Sequence, residues 1–235
     1  MHVVSIMAHQ DDEMRCLGTM LKCRARGDSL AFITVTDGSK GFVQDPLIGR
    51  AAAAEIRANE MRLLADEIEA TLILIGEPDE FLYDTEPVRM KLIEAIRATR
   101  ADLIFTHYHE DYNLDHTTVC SLVRQCAMHA CLPVLQTDSP PLTAHPAVFM
   151  VEPHGPVTFP ASHYVDMSAY QEQKLRLLAN HASQDEALEK GTGSALATMT
   201  SRLSAYRGEQ VGCAHAEAFT PMRARGALKP FSVLP

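Results

Sequence analysis

Short apolar runs alternate with segments of helical periodicity from residue 3 to about residue 130. The runs are rich in β-branched and aromatic residues and end at polar or glycine-containing segments, which is typical of buried parallel strands. The predicted strands are Val3–Met7, Leu30–Thr36, Thr71–Ile75 and Leu103–Thr106. The helices predicted from apolar residues at helical spacing are Asp11–Arg26, Leu47–Leu64, Pro87–Arg97 and Thr117–His129.

This alternation predicts an α/β fold that is Rossmann-like, with a mostly parallel sheet and helices on both faces. The pattern is weaker in the second half of the chain. Thr137–Pro146 contains three prolines and is predicted to be a loop. The later predicted elements are the strands Ala147–Val151 and Tyr164–Val165 and the helices Ser168–His181 and Leu196–Tyr206. The first of these two helices opens on a Ser-x-x-Gln capping box.

Length and composition predict a single domain, residues 1–235, with a full hydrophobic core, because 46% of its residues are hydrophobic. The net charge of −9 argues against a nucleic acid or an anionic membrane as the main partner. The N-terminus lacks the features of a signal peptide, and no apolar stretch approaches the roughly 18 residues that span a bilayer. We therefore expect a soluble, cytoplasmic protein whose six cysteines are reduced thiols.

Two polar segments follow the first and fourth predicted strands, and each combines imidazole and carboxylate side chains. They are Ala8–Glu13 and Asp111–His116. Because right-handed crossovers bring the carboxyl ends of parallel strands to one edge of the sheet, we expect the two segments to meet there. A catalytic zinc site needs three protein ligands, an open position for water and a nearby base. The two segments together could supply all of these protein groups.

His9 and Asp12 are three residues apart at a predicted strand-to-helix turn, so both side chains can point to one side of it. His116 could complete a set of one carboxylate and two imidazoles. This set suits Zn²⁺, with Fe²⁺ or Co²⁺ as alternatives, and zinc usually has the highest affinity of the three. Asp11 would not bind the ion but would lie within reach of a water molecule and act as general base.

The other polar residues near the second segment are candidates for supporting roles. Asp115 precedes His116 and is expected to orient a histidine ligand. His107 and Asp111 are further candidates for that role, and Asn113 can donate a hydrogen bond but cannot titrate. The competing interpretation is structural, because an Asp-Asp-Glu run often marks a solvated helix N-terminus. The placement of both segments at strand ends favours the metal site.

The sequence of Ala8–Glu13, Ala-His-Gln-Asp-Asp-Glu, is one residue away from Ala-His-Pro-Asp-Asp-Glu, and Asn113–His116 matches a second signature that usually ends in His-Pro-Asp-His. These motifs resemble those of the PIG-L/LmbE-like family of zinc-dependent N-deacetylases. The resemblance covers nearly the whole chain and includes Arg57-x-x-Glu60, Pro78-Asp79, Tyr164–Ser168, Lys174–Gln184 and Glu217–Phe219.

The resemblance implies that the metal ligands are His9, Asp12 and His116 and that Asp11 is the general base. The reaction of the family is the hydrolysis of an N-acyl group, usually N-acetyl, from an amino sugar or its conjugate by metal-activated water. The implied partner is thus a small molecule, an N-acylated amino sugar or conjugate. Family members are often oligomeric, which leaves a homo-oligomer open.

Two polar residues outside the motifs, Arg57 and Asp79, match positions that contact the sugar or other polar groups of the substrate in relatives. For Arg57, a salt bridge with Glu60 on the helix surface is an alternative. The substrate pocket itself is expected to come from three loops, Gly38–Pro46, Pro78–Asp84 and Thr137–His163.

The sequence departs from the family pattern at two positions. Gln10 replaces the usual proline, which changes the stiffness of the turn but no ligand. Asn113 replaces a histidine, and an asparagine can donate a hydrogen bond to an oxyanion but cannot deliver a proton. We therefore expect Asp11 to take the proton of water and to pass it to the leaving amine. The alternative proton donors are His109, His154 and His163.

The sequence leaves two other functions open. One is amide hydrolysis of a different conjugate, such as a thiol adduct or an antibiotic intermediate. The other is a carbohydrate-binding member of the fold that has lost its activity. The presence of Asp11 argues against a protein that only binds, because binding alone needs no base.

Overall fold

The computed structural model describes residues 1–45, 47–155 and 157–223. Its centre is a seven-stranded sheet. The strands are β1 His2–Met7, β2 Ser29–Thr36, β3 Thr71–Glu77, β4 Leu103–Thr106, β5 Ala147–Val151, β6 His163–Asp166 and β7 Ala216–Pro221.

Seven α-helices occur in the described part of the chain: α1 Leu17–Ala25, α2 Arg50–Glu67, α3 Glu86–Ala98, α4 Leu114–His129, α5 Gln171–Leu178, α6 Ala182–Thr192 and α7 Leu196–Val211. Short 3-10 helices form at Asp12–Arg15, Ser39–Gly41 and Ser168–Tyr170. Among the described residues, no helix has the length and apolar character that crossing a membrane requires.

The strand order is β3-β2-β1-β4-β5-β7-β6. The first five strands of this order are parallel, whereas β7 pairs antiparallel with both β5 and β6. The α/β fold with its mostly parallel sheet is thereby confirmed. The order in which successive strands are added to the sheet reverses between β1 and β4, although the two strands are parallel. The carboxyl ends of the strands at such a switch point form a crevice where ligands bind.

Successive residues of β1 face opposite sides of the sheet. Val4 and Ile6 belong to a buried cluster with α3 and α4, and Val3 and Met7 belong to a second cluster with α1, α2 and α5. The alternation of side chains along a strand explains this division. Helices therefore cover both faces of the sheet, as the sequence predicts.

The predicted helix Asp11–Arg26 is divided in the structure. A 3-10 helix ends at Arg15, Cys16 leaves the helical region with φ −137°, and α1 begins at Leu17. The backbone N–H groups of Gly18 and Thr19 donate to the carboxylate of Glu217, at 2.9 and 2.7 Å. A carboxylate from β7 thus caps α1, a long-range contact that no local periodicity reveals.

Three other predictions are corrected by the structure. Helix α4 begins at Leu114 and not at Thr117, so it carries residues of the second motif on its first turn. The predicted helix Ser168–His181 divides into a 3-10 helix and α5, and its capping box is wrong, because the Ser168 hydroxyl donates to Asp166. The elements α6 and β7 were not predicted.

A buried ion pair joins α5 to β7. Lys174 Nζ lies 2.7 Å from Glu217 Oε1, and the two side chains are 2% and 4% exposed. The same carboxylate caps α1, so it holds three elements together. Removing one partner of such a pair leaves a buried charge uncompensated.

We expect Lys174→Met to lower the free energy of unfolding by about 3–5 kcal/mol, because Glu217 would lose its counter-charge in a buried position. Urea unfolding followed by circular dichroism measures this. Adding Glu217→Gln should restore part of the loss, since the amide carries no charge. Lys190→Met, which removes an exposed cation from α6, is the control. Equal urea midpoints for Lys174→Met and the control would contradict the expectation.

Candidate metal centre

The two polar segments meet at the carboxyl ends of β1 and β4. His9 Nδ1 lies 3.2 Å from His116 Nε2 and 3.3 Å from Asp12 Oδ2. His116 Nε2 lies 3.3 Å from Asp12 Oδ1. His9 lies two residues after the end of β1, and His116 is on the first turn of α4. The two histidines approach different oxygens of the Asp12 carboxylate, and the three potential ligand groups form a triangle whose ligand atoms lie within 4.8 Å of one another.

The size of this triangle fits a tetrahedral zinc ion. Zinc bonds of about 2.0–2.1 Å separate the ligand atoms of a tetrahedron by about 3.3 Å. The separation of 3.2 Å between the two histidine nitrogens matches that edge, and each nitrogen has an oxygen of Asp12 at 3.3 Å. Three protein ligands would leave the fourth position for water or substrate. Two imidazoles and a carboxylate are also donors that zinc prefers. That these residues bind a metal stays a prediction, and the geometry is compatible with it.

His116 is oriented by Asp111. Its Nδ1 lies 3.0 Å from Asp111 Oδ2, which leaves Nε2 directed at the triangle. His107 stacks on the ring of His116 with a centroid separation of 4.0 Å, and its Nε2 accepts a hydrogen bond from the backbone of Ala8 at 2.9 Å. Burial lowers the pKa of His107 to about 4, so it is a neutral packing partner.

Asp115 supports His9 and not His116, its neighbour in sequence. Its Oδ2 lies 3.4 Å from Nε2 of His9, and its carboxylate accepts backbone hydrogen bonds from Glu80 and Leu82. The side chains of Asp115 and His116 diverge because consecutive helical residues point in different directions. Asp115 is therefore a support for His9 and for the loop after β3.

Asp79 approaches the same histidine from the loop after β3. Its Oδ1 lies 3.0 Å from His9 Nε2, and its Oδ2 accepts hydrogen bonds from the backbone of Lys40 and Gly41 at 2.7 and 3.1 Å. Asp79 also lines the cavity above the triangle. A substrate contact for Asp79 stays a prediction, and the structure adds that Asp79 positions His9.

The electrostatics of the site favour a positive charge at the triangle. Burial lowers the pKa of His116, but the charge of Asp12 and the hydrogen bond to Asp111 outweigh it and raise the pKa to about 9. For His9, burial acts the same way, but Asp115, Asp12 and other carboxylates raise its pKa well above the usual value. The buried carboxylates stabilise positive charge nearby, whether it is carried by a protonated histidine or by a bound metal ion.

Asp11 is held in a strained backbone conformation, with φ 112°. A non-glycine residue in such a region costs about 1–3 kcal/mol and persists only where its surroundings enforce it. The N–H of Asp11 donates to Glu13 Oε2 at 3.0 Å, and its Oδ1 lies 3.3 Å from Arg57 Nη2. Burial raises the pKa of Asp11 to about 6, and the charge of Arg57 opposes this.

Arg57 is buried on α2 with 2% of its surface exposed. Its guanidinium donates to the backbone carbonyls of Gln10 and Gly38 and to Asp11. The alternative of a surface salt bridge with Glu60 is wrong, since Glu60 instead accepts hydrogen bonds from Ser183. Arg57 reaches the turn that carries Asp11, a contact that the sequence did not predict.

Gln10 fills the space above Gly38. A Cβ atom on Gly38 would lie 2.0 Å from Gln10 Oε1, and Gly38 has φ 64°. Only glycine satisfies both the close approach and the left-handed backbone. The replacement of the usual proline by Gln10 is thus accommodated by the glycine loop after β2, and the carbonyl of Gln10 faces Arg57.

The amide of Asn113 caps α4. Its Oδ1 accepts a hydrogen bond from the backbone of Asp115 at 2.8 Å, and its Nδ2 donates to Glu80 Oε1 at 3.3 Å. Both ends of the side chain therefore have protein partners. Donation from Asn113 to an oxyanion stays a prediction, and it is compatible with the contact to Glu80 because the amide nitrogen carries two N–H groups.

A cavity of about 190 Å³ opens above the triangle. Of the predicted site residues, all but Asp115 line it: His9, Asp11, Asp12, Arg57, Asp79, Asn113 and His116. The three predicted loops also contribute, with Lys40, Gly41, Glu80 and His154. Pro46 in the first loop and Pro156 in the third lie outside the described residues. Of the three histidines considered as proton donors, His154 lines the cavity, whereas His109 and His163 do not.

Five further lining residues were missed: Met14, Tyr112, Gln184, Leu188 and Met199. The last three come from α6 and α7. Helix α6 is largely polar and has no clear apolar stripe, so its periodicity gave no signal. Tyr112 lies inside the second motif, and its position beside Asn113 could have identified it.

Solved structures with the same fold include proteins of different activities. N,N'-diacetylchitobiose deacetylase from Pyrococcus horikoshii is 22% identical, with a TM-score of 0.79 over 94% of this chain and 83% of that chain. The conserved protein TT1542 from Thermus thermophilus is 24% identical, with a TM-score of 0.80 over 97% of both chains. GalB, the 4-carboxy-2-hydroxymuconate hydratase from Pseudomonas putida KT2440, is 17% identical, with a TM-score of 0.81 over 98% of this chain and 100% of that chain.

At these identities the structural matches establish the fold and no more. The family comparison reaches further, because it rests on the sequence itself. The family model described as PIG-L, GlcNAc-PI de-N-acetylase, matches residues 4–127, which contain both motifs and make up just over half of the chain. The chain therefore belongs to the PIG-L family.

Proposed function

We propose that the protein is a zinc-dependent N-deacetylase that removes an N-acetyl or other N-acyl group from a small amino sugar or amino-sugar conjugate. The observation that carries the proposal is the triangle of His9, Asp12 and His116 with Asp11 lining the same cavity. The family description as a de-N-acetylase and the fold of the P. horikoshii deacetylase agree with it.

The residues that would hold the metal are His9, Asp12 and His116, with Zn²⁺ as the proposed ion and Fe²⁺ or Co²⁺ as alternatives. The chemistry that zinc supplies when bound in such a site is Lewis acidity, which polarises a carbonyl and makes water more acidic. Asp111 fixes the ring of His116, and Asp79 and Asp115 surround the ring of His9. These contacts hold the donor atoms at their separations before any ligand arrives.

Asp11 is the proposed general base. It accepts the proton of the attacking water and returns it to the leaving amine, so that a single carboxyl serves both steps. Arg57 holds this carboxyl and the preceding carbonyl of Gln10, which fixes the direction of the base. In this proposal Asn113 or another donor of the cavity stabilises the oxyanion.

Amide hydrolysis of another conjugate and binding without catalysis are the competing functions. The hydratase among the structural neighbours also means that the fold alone does not select hydrolysis. A strained carboxyl-bearing residue beside a potential metal site is hard to explain for a protein that only binds, because it costs stability. This feature favours an enzyme.

The first test is the release of acetate from a panel of N-acetylglucosaminides by the zinc-loaded protein. We expect Asp11→Asn to lower the rate by about 10²–10⁴-fold, the usual contribution of a general base. Asp66→Asn, on the exposed face of α2, is the matched control and should keep the wild-type rate. Release by neither wild type nor control, with zinc confirmed bound, would refute the deacetylase and favour one of the competing functions.

Metal content tests the ligand set independently of turnover. We expect His116→Asn to lose stoichiometric zinc, because one of three protein ligands is removed. Asp111→Asn should retain the site but weaken zinc binding by about 10–100-fold, because the ring of His116 is no longer oriented. Competition with a zinc chelator measures both variants. His129→Asn, at the far end of α4, is the control, and an equal zinc affinity in all four proteins would contradict the assignment.

Steady-state kinetics of Arg57→Met separate the two roles of Arg57. Because the guanidinium contacts Asp11 and the carbonyl of Gln10, we expect kcat to fall by about 10–100-fold, with a smaller change in KM. Arg62→Met, on the exposed face of the same helix, is the control. A rise in KM at unchanged kcat would instead make Arg57 a residue that only binds substrate.

A further inference from the structure

His154, on the loop after β5, is a third histidine in the wall of the cavity above the triangle, beside the two proposed metal ligands. It is half-buried. The rings of His154 and His116 both make T-shaped contacts with the ring of Tyr112, at centroid separations of 6.3 and 6.0 Å. A single tyrosine ring therefore connects His154 to the triangle, and a ligand in the cavity can meet both.

The guanidinium of Arg15 determines which ring nitrogen of His154 carries the proton. Nη2 of Arg15 lies 2.7 Å from Nδ1 of His154. A guanidinium has N–H donors and no acceptor, so this Nδ1 accepts the hydrogen bond and is unprotonated. The proton of the neutral ring is therefore on Nε2. In the described part of the chain this Nε2–H has no hydrogen-bond partner, so it is available to a ligand in the cavity.

The surroundings of His154 keep its ring neutral. Burial lowers the pKa of His154, and the charge of Arg15 lowers it further. The charges of Asp111 and Asp12 oppose this lowering but do not outweigh it. A neutral imidazole holds its remaining proton near neutral pH, so the ring can donate a hydrogen bond without giving the proton up.

Arg15 stays a cation behind this ring. Burial lowers the pKa of Arg15, and the charge of Glu152 opposes this, as do those of carboxylates near the triangle. Glu152 itself is bound in a two-pronged pair by Arg207, with N···O distances of 2.8 and 2.5 Å. The hydrogen bond of Arg15 thus goes to the imidazole, where its positive charge polarises the Nε2–H towards an acceptor that carries negative charge.

We propose that the Nε2–H of His154 donates a hydrogen bond to the acyl oxygen of the substrate, a bond that strengthens as this oxygen takes up negative charge. The proposal rests on the proposed function. An amide oxygen only accepts hydrogen bonds, which suits a ring that can only donate. A fixed donor aimed at a developing oxyanion stabilises the transition state more than the ground state. Arg15 is the positioning residue of this donor, and Asp11 remains the proposed carrier of the proton.

Substitutions of His154 that remove or keep an N–H donor test the proposal in steady-state kinetics on N-acetylglucosaminides. We expect His154→Leu to lower kcat by about 10²-fold or more with a smaller change in KM, the usual loss of one oxyanion donor. His154→Gln should recover part of this rate, because its amide keeps an N–H. His145→Leu, in the exposed loop before β5, is the control. A rise in KM at unchanged kcat would place the hydrogen bond elsewhere on the substrate and overturn the proposal.

The carbonyl stretch of a bound substrate reports the hydrogen bond without turnover. It is measured by infrared difference spectroscopy on an N-acetylglucosaminide with ¹³C at the acetyl carbonyl, bound to the full zinc-loaded chain carrying Asp11→Asn. Because hydrogen bonding to the oxygen lowers the stretching frequency, adding His154→Leu should raise it, whereas adding His145→Leu should leave it unchanged. Equal frequencies with and without His154→Leu would overturn the proposal.

The tautomer of His154 is tested on the protein without substrate, by nitrogen-15 spectra of the histidine rings at pH 7. We expect the signal that disappears in His154→Gln to show a proton on Nε2 and none on Nδ1. Arg15→Met should change this signal, because Nδ1 loses its donor, whereas Arg24→Met, on α1, should not. A proton on Nδ1 of His154 in the wild-type protein would contradict the proposal.

The two readouts on the substrate separate this proposal from the proposed function. Acetate release by the wild-type protein, with a rate and a carbonyl frequency that do not depend on His154, would support the deacetylase and overturn the role of His154. A carbonyl frequency that His154→Leu raises, without acetate release by the wild-type protein, would support the hydrogen bond and refute the deacetylase.

Discussion

The turn at Asp11 is the constraint on which the candidate site depends. His9, Asp11 and Asp12 lie on one turn, so the strained backbone at Asp11 sets where three of the proposed functional groups point. Two buried side chains enforce the turn: Arg57 from α2 binds its carbonyl and carboxylate, and Glu13 accepts its N–H. His181, which lies 2.6 Å from Glu13, ties this arrangement to the segment before α6. The cost of the strain, about 1–3 kcal/mol, is offset by this network.

The sequence predicts the place of the site because the place follows from topology. Segments at the ends of β1 and β4 meet whenever these strands are adjacent and parallel, whatever the details of the helices. The detailed partners do not follow from topology. Asp111 and Asp115 were both expected to orient a histidine, but the sequence did not indicate which one. Asp111 contacts His116, whereas Asp115 lies near His9, because consecutive residues of a helix point about 100° apart. The start and end of a helix depend mainly on nearby residues in the sequence, whereas the contacts of its side chains depend on residues that are distant in the sequence.

Elements β7 and α6 in the C-terminal part of the chain were not predicted, because their positions also depend on contacts between residues that are distant in sequence. Strand β7 pairs antiparallel with β5 and β6. Its residue Glu217 is buried, which local sequence would not predict, because its partners are the distant Lys174 and the backbone amides of α1. Helix α6 is polar along most of its length and is placed by contacts with α7. Helices α6 and α7 together line the cavity above the triangle with Gln184, Leu188 and Met199. Sequence periodicity thus describes the sheet well and the wall of the cavity poorly.

The contrast between Arg97 and Arg15 shows how this fold treats a guanidinium that it encloses. Arg97 lies 2% exposed, and its donors are taken by the carbonyls of Ala130, Leu132 and Leu135 and by the hydroxyl of Thr137. Such an arginine is satisfied by the protein and has no need of a ligand. Arg15 has one neutral acceptor and an open cavity beside it. Burial lowers the pKa of the Arg15 guanidinium, and the charge of Glu152 opposes this. Arg15 is therefore stabilised by the charges of nearby carboxylates, whereas Arg97 is stabilised by direct hydrogen bonds.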